Sequence, residues 1–196
     1  MGFYQLESLI NTKLNGIWQV HYLQHYGDTH SDQWATEIRS SIAIDNKIKA
    51  PIQTSVTDWT DVERLAGTMY GEASSQSDLG KIAVGLTVRE RVKYPGIDNW
   101  GSGWQGIMLK PGQFTCWQDH NKDRIVYARE NPNSVWNTCL SYAEKIYAGH
   151  PYNIGLKGNP TNYYASWSTP PSWSKTFPYL GTIGTHLFYR NPKVGV

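Results

Sequence analysis

The sequence predicts a mainly helical α+β fold. Segments of helical period fill its middle, and an aromatic, proline-broken tail reads as short strands and loops. With 196 residues there is room for one well-packed domain and little more. Residues 1–55 read as an N-terminal extension without an assignable role, and 56–196 as the principal domain.

In the extension, Ile10, Leu14, Ile17 and Trp18 have helical spacing, while Val20-His21-Tyr22-Leu23 is strand-like. His21, His25 and His30 fit no compact ligand motif and are expected as turn or surface histidines. Residues 47–55, with Pro51, read as an extended connector.

From residue 57 the pattern sharpens. Thr60-Asp61-Val62-Glu63 is a capping box, with Thr60 as N-cap and Glu63 reaching back to it. Val62, Leu65, Ala66, Met69, Tyr70 and Ala73 then mark the apolar face of a helix. Glu72 falls on or beside that face near the helix end. A carboxylate in such a place is either paired or held for chemistry. A second helix is expected over 78–93, with Leu79, Ile82, Ala83, Leu86 and Val92 inward, stopped by Tyr94-Pro95-Gly96. Residues 100–118 read as loops with a short hairpin. A third helix is expected over 134–148, with Gly149 at its C-terminal end and Pro151 beyond. Residues 159–190, broken by Pro170-Pro171 and Pro178, read as strands and loops.

Composition narrows the function. A net charge of +2, with no lysine or arginine cluster, gives no footprint for nucleic acid. No stretch has the length of a membrane span, so membrane insertion is not expected. The first residues lack a cationic region followed by an apolar run, so no secretory signal is visible. Nine tryptophans and thirteen tyrosines against four phenylalanines favour rings with a polar handle, suited to half-exposed platforms as well as to a core. Cys116 and Cys139 have neither disulfide-scaffold nor zinc-site spacing, and each reads as a buried thiol.

Four blocks then occur in order. The first runs from Leu65-Ala66-Gly67-Thr68-Met69-Tyr70-Gly71-Glu72-Ala73 through Ala83-Val84-Gly85-Leu86-Thr87-Val88 to Arg91-Val92-Lys93. The others are Gly112-Gln113-Phe114-Thr115-Cys116-Trp117, Pro171-Ser172-Trp173 and Ile183-Gly184-Thr185-His186-Leu187-Phe188-Tyr189-Arg190. Together they resemble the SleB-type cell-wall hydrolases, which include spore-cortex-lytic enzymes and some phage lysins. The resemblance implies a lysozyme-like, mainly helical α+β catalytic domain over 56–196. It implies cleavage of peptidoglycan between N-acetylmuramic acid and N-acetylglucosamine; this sequence is itself expected to use no cofactor and no metal. The glutamate of the Tyr-Gly-Glu-Ala motif, the catalytic acid, maps onto Glu72. Lytic transglycosylases of the family release a 1,6-anhydromuramic sugar.

The chemistry agrees. Breaking a glycosidic bond requires a proton on the leaving oxygen, and a carboxyl group against apolar and aromatic neighbours is suited to give it. A hydrolase adds a second carboxylate. A transglycosylase omits it, because the ionised glutamate takes the proton from the sugar's own 6-hydroxyl. The resemblance identifies no second acid; Asp78, Glu90 and Asp119 are candidates, each read in the first place as a helix cap or surface charge. Lytic transglycosylation is therefore the favoured reading and muramidase hydrolysis the alternative. Substrate-binding candidates are Gln113, for an acetamido group, with Phe114, Trp117, Tyr163, Tyr164, Trp173 and His186.

Two departures from the family pattern bear on the cleft. Asn162 and Tyr164 stand where relatives often carry histidines, and Ser74-Ser75-Gln76 stands where they often have Arg-Gly-Glu. A cysteine-dependent wall amidase or peptidase would instead use Cys116 with His120, His150 or His186. A non-catalytic carbohydrate-binding module would need only the aromatics. Without a visible signal the enzyme is expected to be made in the cytoplasm as a monomer. It would reach its one partner, the bacterial wall, as a holin-released endolysin, a virion-borne lysin, or a bacterial protein exported by another route.

Overall fold

The computed structural model describes residues 2–6, 16–27, 34–42, 55–118 and 121–195. The chain divides into two compact units, Met1–Gln53 and Thr54–Val196.

In the first unit, β1 (Gly2–Leu6), β2 (Gly16–Gly27) and β3 (Trp34–Ile42) form an antiparallel sheet in the order β1-β2-β3. A register shift between Val20 and Tyr22 marks a bulge in β2. The strand expected at Val20–Leu23 is present. The helical reading of Ile17 and Trp18 is corrected, because both lie in β2, in a run rich in β-branched and aromatic residues. Ile10 and Leu14 lie outside the described residues, as do His30 and residues 47–54. His21 and His25 fall within β2 and not in turns.

The second unit is built on three helices: α1 (Asp61–Ala73), α2 (Asp78–Val92) and, further along the chain, α5 (Ser134–Tyr147). The capping box that starts α1 is complete. The Thr60 N–H donates to Glu63 Oε2 at 2.8 Å, and the Glu63 N–H donates to Thr60 Oγ1 at 3.2 Å. Leu65, Ala66, Met69 and Ala73 are buried against α2 and α5, as their spacing requires. Nearly every position of α2 is buried, which makes it the central helix of the core. Leu79, expected inward, is exposed at the start of α2 and is corrected. Asn133 caps α5 by accepting from the Trp136 N–H at 2.8 Å.

Residues 100–118 contain no hairpin. They form the short helix α3 (Gly103–Met108) and a 3-10 turn at Thr115–Trp117. Glycine-rich sequence hid α3, whose buried residues are only Ile107 and Met108. The following helix, α4 (Asn121–Glu130), was also unexpected. Half of its residues are charged, and it buries only Ile125 and Ala128. In the tail, β4 (Asn162–Ala165), β5 (Tyr179–Ile183) and β6 (His186–Tyr189) form an antiparallel sheet in the order β4-β6-β5. The α+β, mainly helical class is therefore observed. No helix among the described residues is long and apolar enough to cross a membrane.

Two glycines of α1 decide what lies against it. A Cβ on Gly67 would stand 2.7 Å from Trp117 Cη2 and 2.9 Å from Ile125 Cγ2. A Cβ on Gly71 would stand 2.5 Å from the Cys116 Cβ. The Thr115–Trp117 turn and α4 thus pack directly onto the helix backbone. Trp117 is fixed there by an Nε1–H bond to Thr68 Oγ1 at 2.9 Å and by an edge contact with Trp59 at 5.9 Å. Gly67→Ala is expected to lower stability by about 1–3 kcal/mol through overpacking. Urea unfolding of parent and variant measures it.

Candidate active site

Glu72 stands one residue before the end of α1, half-buried, on the side facing the Thr115–Trp117 turn. Both of its oxygens are held. The Cys116 N–H donates to Oε1 at 3.1 Å, and the Tyr163 hydroxyl donates to Oε2 at 3.1 Å. The first bond exists because Gly71 lets the turn approach. The second comes from β4, where Tyr163 packs between the rings of His186 at 5.1 Å and Phe188 at 5.5 Å.

A cavity of about 250 Å³ opens over Glu72, walled by Thr115, Asn121, Arg124, Trp167 and His186. A second, of about 500 Å³, lies beside it and shares Thr115. Its walls include Arg91, Gln113, Tyr163, Tyr164, Trp173 and Phe177. Of the expected binding residues, His186 is in the Glu72 cavity, and Gln113, Tyr163, Tyr164 and Trp173 are in its neighbour. Phe114 and Trp117 line neither and are corrected. Phe114 is 2% exposed in the core, and Trp117 spends its N–H on Thr68 and its ring on Gly67 and Trp59.

Burial sets the protonation of the surroundings. It pushes the Tyr163 hydroxyl well up, helped by the nearby Glu72 charge, so Tyr163 stays a donor. It pushes the Cys116 thiol well up, again with Glu72 adding to the effect. It holds His186 below the usual histidine value, against an opposing pull from Glu72. The imidazole is therefore neutral at pH 7, and its Nδ1 is buried without a hydrogen-bond partner. Burial also brings the Arg91 guanidinium down to about 10, which leaves it cationic at neutral pH.

Two of the three candidate second carboxylates, Asp78 and Glu90, lie outside the lining of the Glu72 cavity. Asp78 opens α2, accepting from the Tyr142 hydroxyl at 3.1 Å. Glu90, expected as a surface charge, is instead buried between Lys93 at 2.7 Å and Arg190 at 3.1 Å. Asp119 and His120 lie outside the described residues. Among the described residues Glu72 is the one carboxylate lining its cavity, and Asp98 the one lining the neighbour. Asp98 is engaged by the Asn191 amide and by Lys193 at 2.6 Å. No group of three or more His, Cys, Asp or Glu gathers as a metal site among the described residues.

Sequence reasoning missed Arg91, Thr115, Asn121, Arg124 and Trp167. Asn121 and Arg124 belong to the unexpected α4. Trp167 follows β4 in a turn, where an isolated aromatic between two serines was the only available signal.

The Glu72 carboxyl, carried on α1, thus lines a cavity walled by Trp167 and His186, beside a larger one walled by further aromatic residues. The family model described as Cell Wall Hydrolase matches residues 75–189, more than half of the chain, and the chain belongs to this family. The match begins just after Glu72 and does not include it. The chain is similar to two spore cortex-lytic enzymes of Bacillus cereus, each 24% identical over 130 residues. The matched region covers 66% of this chain but 44% of either relative, so the chain spans less than half their length. Among solved structures it is similar to the catalytic domain of the germination-specific lytic transglycosylase SleB from Bacillus anthracis. There the identity is 25% and the TM-score 0.49, over 72% of this chain and 100% of that one. It is similar also to the SleB catalytic domain of Bacillus cereus, with 25% identity and a TM-score of 0.49 over 66% and 89% of the two chains.

Cys116 is poorly suited to act as a nucleophile. It is buried, its thiol is held protonated, and its turn is too short to supply a helix N-terminus. Cys116→Ser, which keeps the backbone N–H that holds Glu72, is expected to retain wall-lytic activity in a turbidity assay. Complete loss in a folded variant would revive the cysteine mechanism.

Proposed function

We propose that the enzyme cleaves the glycan strand of peptidoglycan between N-acetylmuramic acid and N-acetylglucosamine as a lytic transglycosylase, with Glu72 as its single acid and base. The observation that carries this reading is Glu72 itself, seated by two donors and the sole described carboxylate of its cavity.

The two donors divide the labour of the carboxyl group. A backbone N–H can only donate, so Oε1 is kept as an acceptor by Cys116. The transferable proton then resides on Oε2, beside a tyrosine hydroxyl that can donate to the ionised form or accept from the protonated one. Glu72 gives this proton to the glycosidic oxygen as the bond to C1 of the muramyl residue breaks, and the departing sugar leaves as an alcohol. The muramyl ring is left with oxocarbenium character at C1. Ionised Glu72 then takes the proton of the ring's own 6-hydroxyl, whose oxygen closes onto C1. The product is a 1,6-anhydromuramic end, Glu72 is protonated again, and no water is consumed. The aromatic walls of the neighbouring cavity would hold the strand on one side of the broken bond.

Purified peptidoglycan digested with the parent and with Glu72→Gln, then analysed by mass spectrometry, tests the reading. Anhydromuramic products are expected from the parent, with the rate reduced about 10²–10⁴-fold in the variant. Reducing muramic ends would make the enzyme a hydrolase, and peptides released from intact glycan would sink the glycosidase reading. The proposal extends to the setting, an endolysin that meets the wall only after the membrane is breached. Expression in bacterial cytosol is then expected to be harmless until the membrane is permeabilised, as followed by culture turbidity.

A further inference from the structure

We propose that the cavity over Glu72 is a subsite for a muramyl residue with a free carboxylate, in which Trp167 is the stacking platform and Arg124 reads the charge. The proposal rests on the glycosidase reading of Glu72 and adds the chemistry of the sugar bound there.

Trp167 is the most exposed of the large apolar side chains described, at 72%, and it stands at the wall of the cavity that contains Glu72. Its ring is free while its backbone is not. The Ser166 N–H donates to the Thr185 carbonyl at 2.8 Å, and Ser168 donates to the Ala165 carbonyl from its N–H at 2.9 Å and its hydroxyl at 2.7 Å. The turn that carries the indole is thus tied to the start of β6 and to the end of β4. An ordered aromatic face open to a polar cavity suits a pyranose ring, whose C–H face covers the indole while its hydroxyls remain at the rim.

Arg124 reaches the same cavity from α4. Its Nη2 donates to the Gly71 carbonyl at 2.7 Å, and its guanidinium lies 5.9 Å from the centre of the Tyr70 ring. These contacts fix the plane of the fork and leave further N–H donors for a planar anion. Asn121, held by its amide to the Thr115 carbonyl at 3.3 Å, stands beside it. A muramyl residue without its peptide carries one anion, the carboxylate of its 3-O-lactyl group. Brought beside Glu72, that carboxylate needs a compensating cation, and Arg124 supplies one in the same cavity.

Glycan strands stripped of peptide by an amidase carry free lactyl carboxylates, and carbodiimide coupling to methylamine caps them as neutral amides. The parent is expected to cleave the free strands with a KM about tenfold or more below that for the capped ones, as a charge-assisted contact implies. Arg124→Gln is expected to lose this preference, its KM on the free strands rising to that on the capped ones. Trp167→Ala is expected to raise KM severalfold on both strands, and Trp167→Phe to recover most of the loss. Equal KM values for the two strands in the parent overturn the proposal. So does a parent that digests whole peptidoglycan but leaves free strands intact, or an unchanged KM in Trp167→Ala. A parent inactive on every glycan, or Glu72→Gln as active as the parent, sinks the glycosidase reading and this proposal with it.

Discussion

The approach of the Thr115–Trp117 turn to the backbone of α1 is the constraint on which the site depends. Glu72 needs a donor for Oε1, and the Cys116 N–H supplies it only because Gly71 leaves room for the turn. One turn back, Gly67 admits the edge of Trp117, whose indole N–H finds Thr68 on the same helix. Packed interiors transmit displacements of a few tenths of an ångström, so a side chain at either glycine would move the donor away from the carboxylate. The same two positions face Ile125, and through it α4 and its Arg124 are held against the helix. Core packing and site geometry are here a single arrangement.

Around that seat, burial keeps other groups out of proton traffic. Tyr163 and Cys116 are held protonated and His186 neutral, each chiefly by removal from water. Glu90, buried with two cations, is neutralised at a distance from the cleft, and Asp98 is occupied by Lys193 and Asn191. Among the described residues this leaves one carboxylate over the open cavity with no second acid facing it.

What the sequence made legible follows from how local each signal was. The capping box and apolar rhythm of α1 are short-range patterns, and they placed Glu72 within its helix correctly. The strands of the tail were announced by aromatics between prolines. By contrast, α3 and α4 bury two residues each, so their helicity comes from what they pack on and leaves little trace in periodicity. That is why Asn121 and Arg124 were missed. Phe114 and Trp117 show the opposite error. Their block reads as a binding loop, but close approach to two glycines draws that loop inward, burying Phe114 in the core and packing the partly buried Trp117 against it.

The exchange of histidines for Asn162 and Tyr164 also acquires a structural meaning. Asn162 is buried and accepts from the Thr161 hydroxyl at 2.9 Å, while Tyr164 stacks on Tyr189 at 5.8 Å and meets the edge of Trp173. Both line the larger cavity with side chains that can donate and accept hydrogen bonds. Its charged walls are Asp98, paired with Lys193, and Arg91, whose Nε donates to the Thr161 carbonyl at 2.6 Å and whose Nη1 donates to Gln113 Oε1 at 3.0 Å. The second bond fixes more than the arginine. With its oxygen occupied, Gln113 has its amide nitrogen left to offer the cavity, so it presents a donor. In the reading proposed for this cleft, Gln113 would therefore meet the carbonyl oxygen of an acetamido group and not its N–H. The orientation of that amide is set from beneath by a buried cation before any sugar arrives.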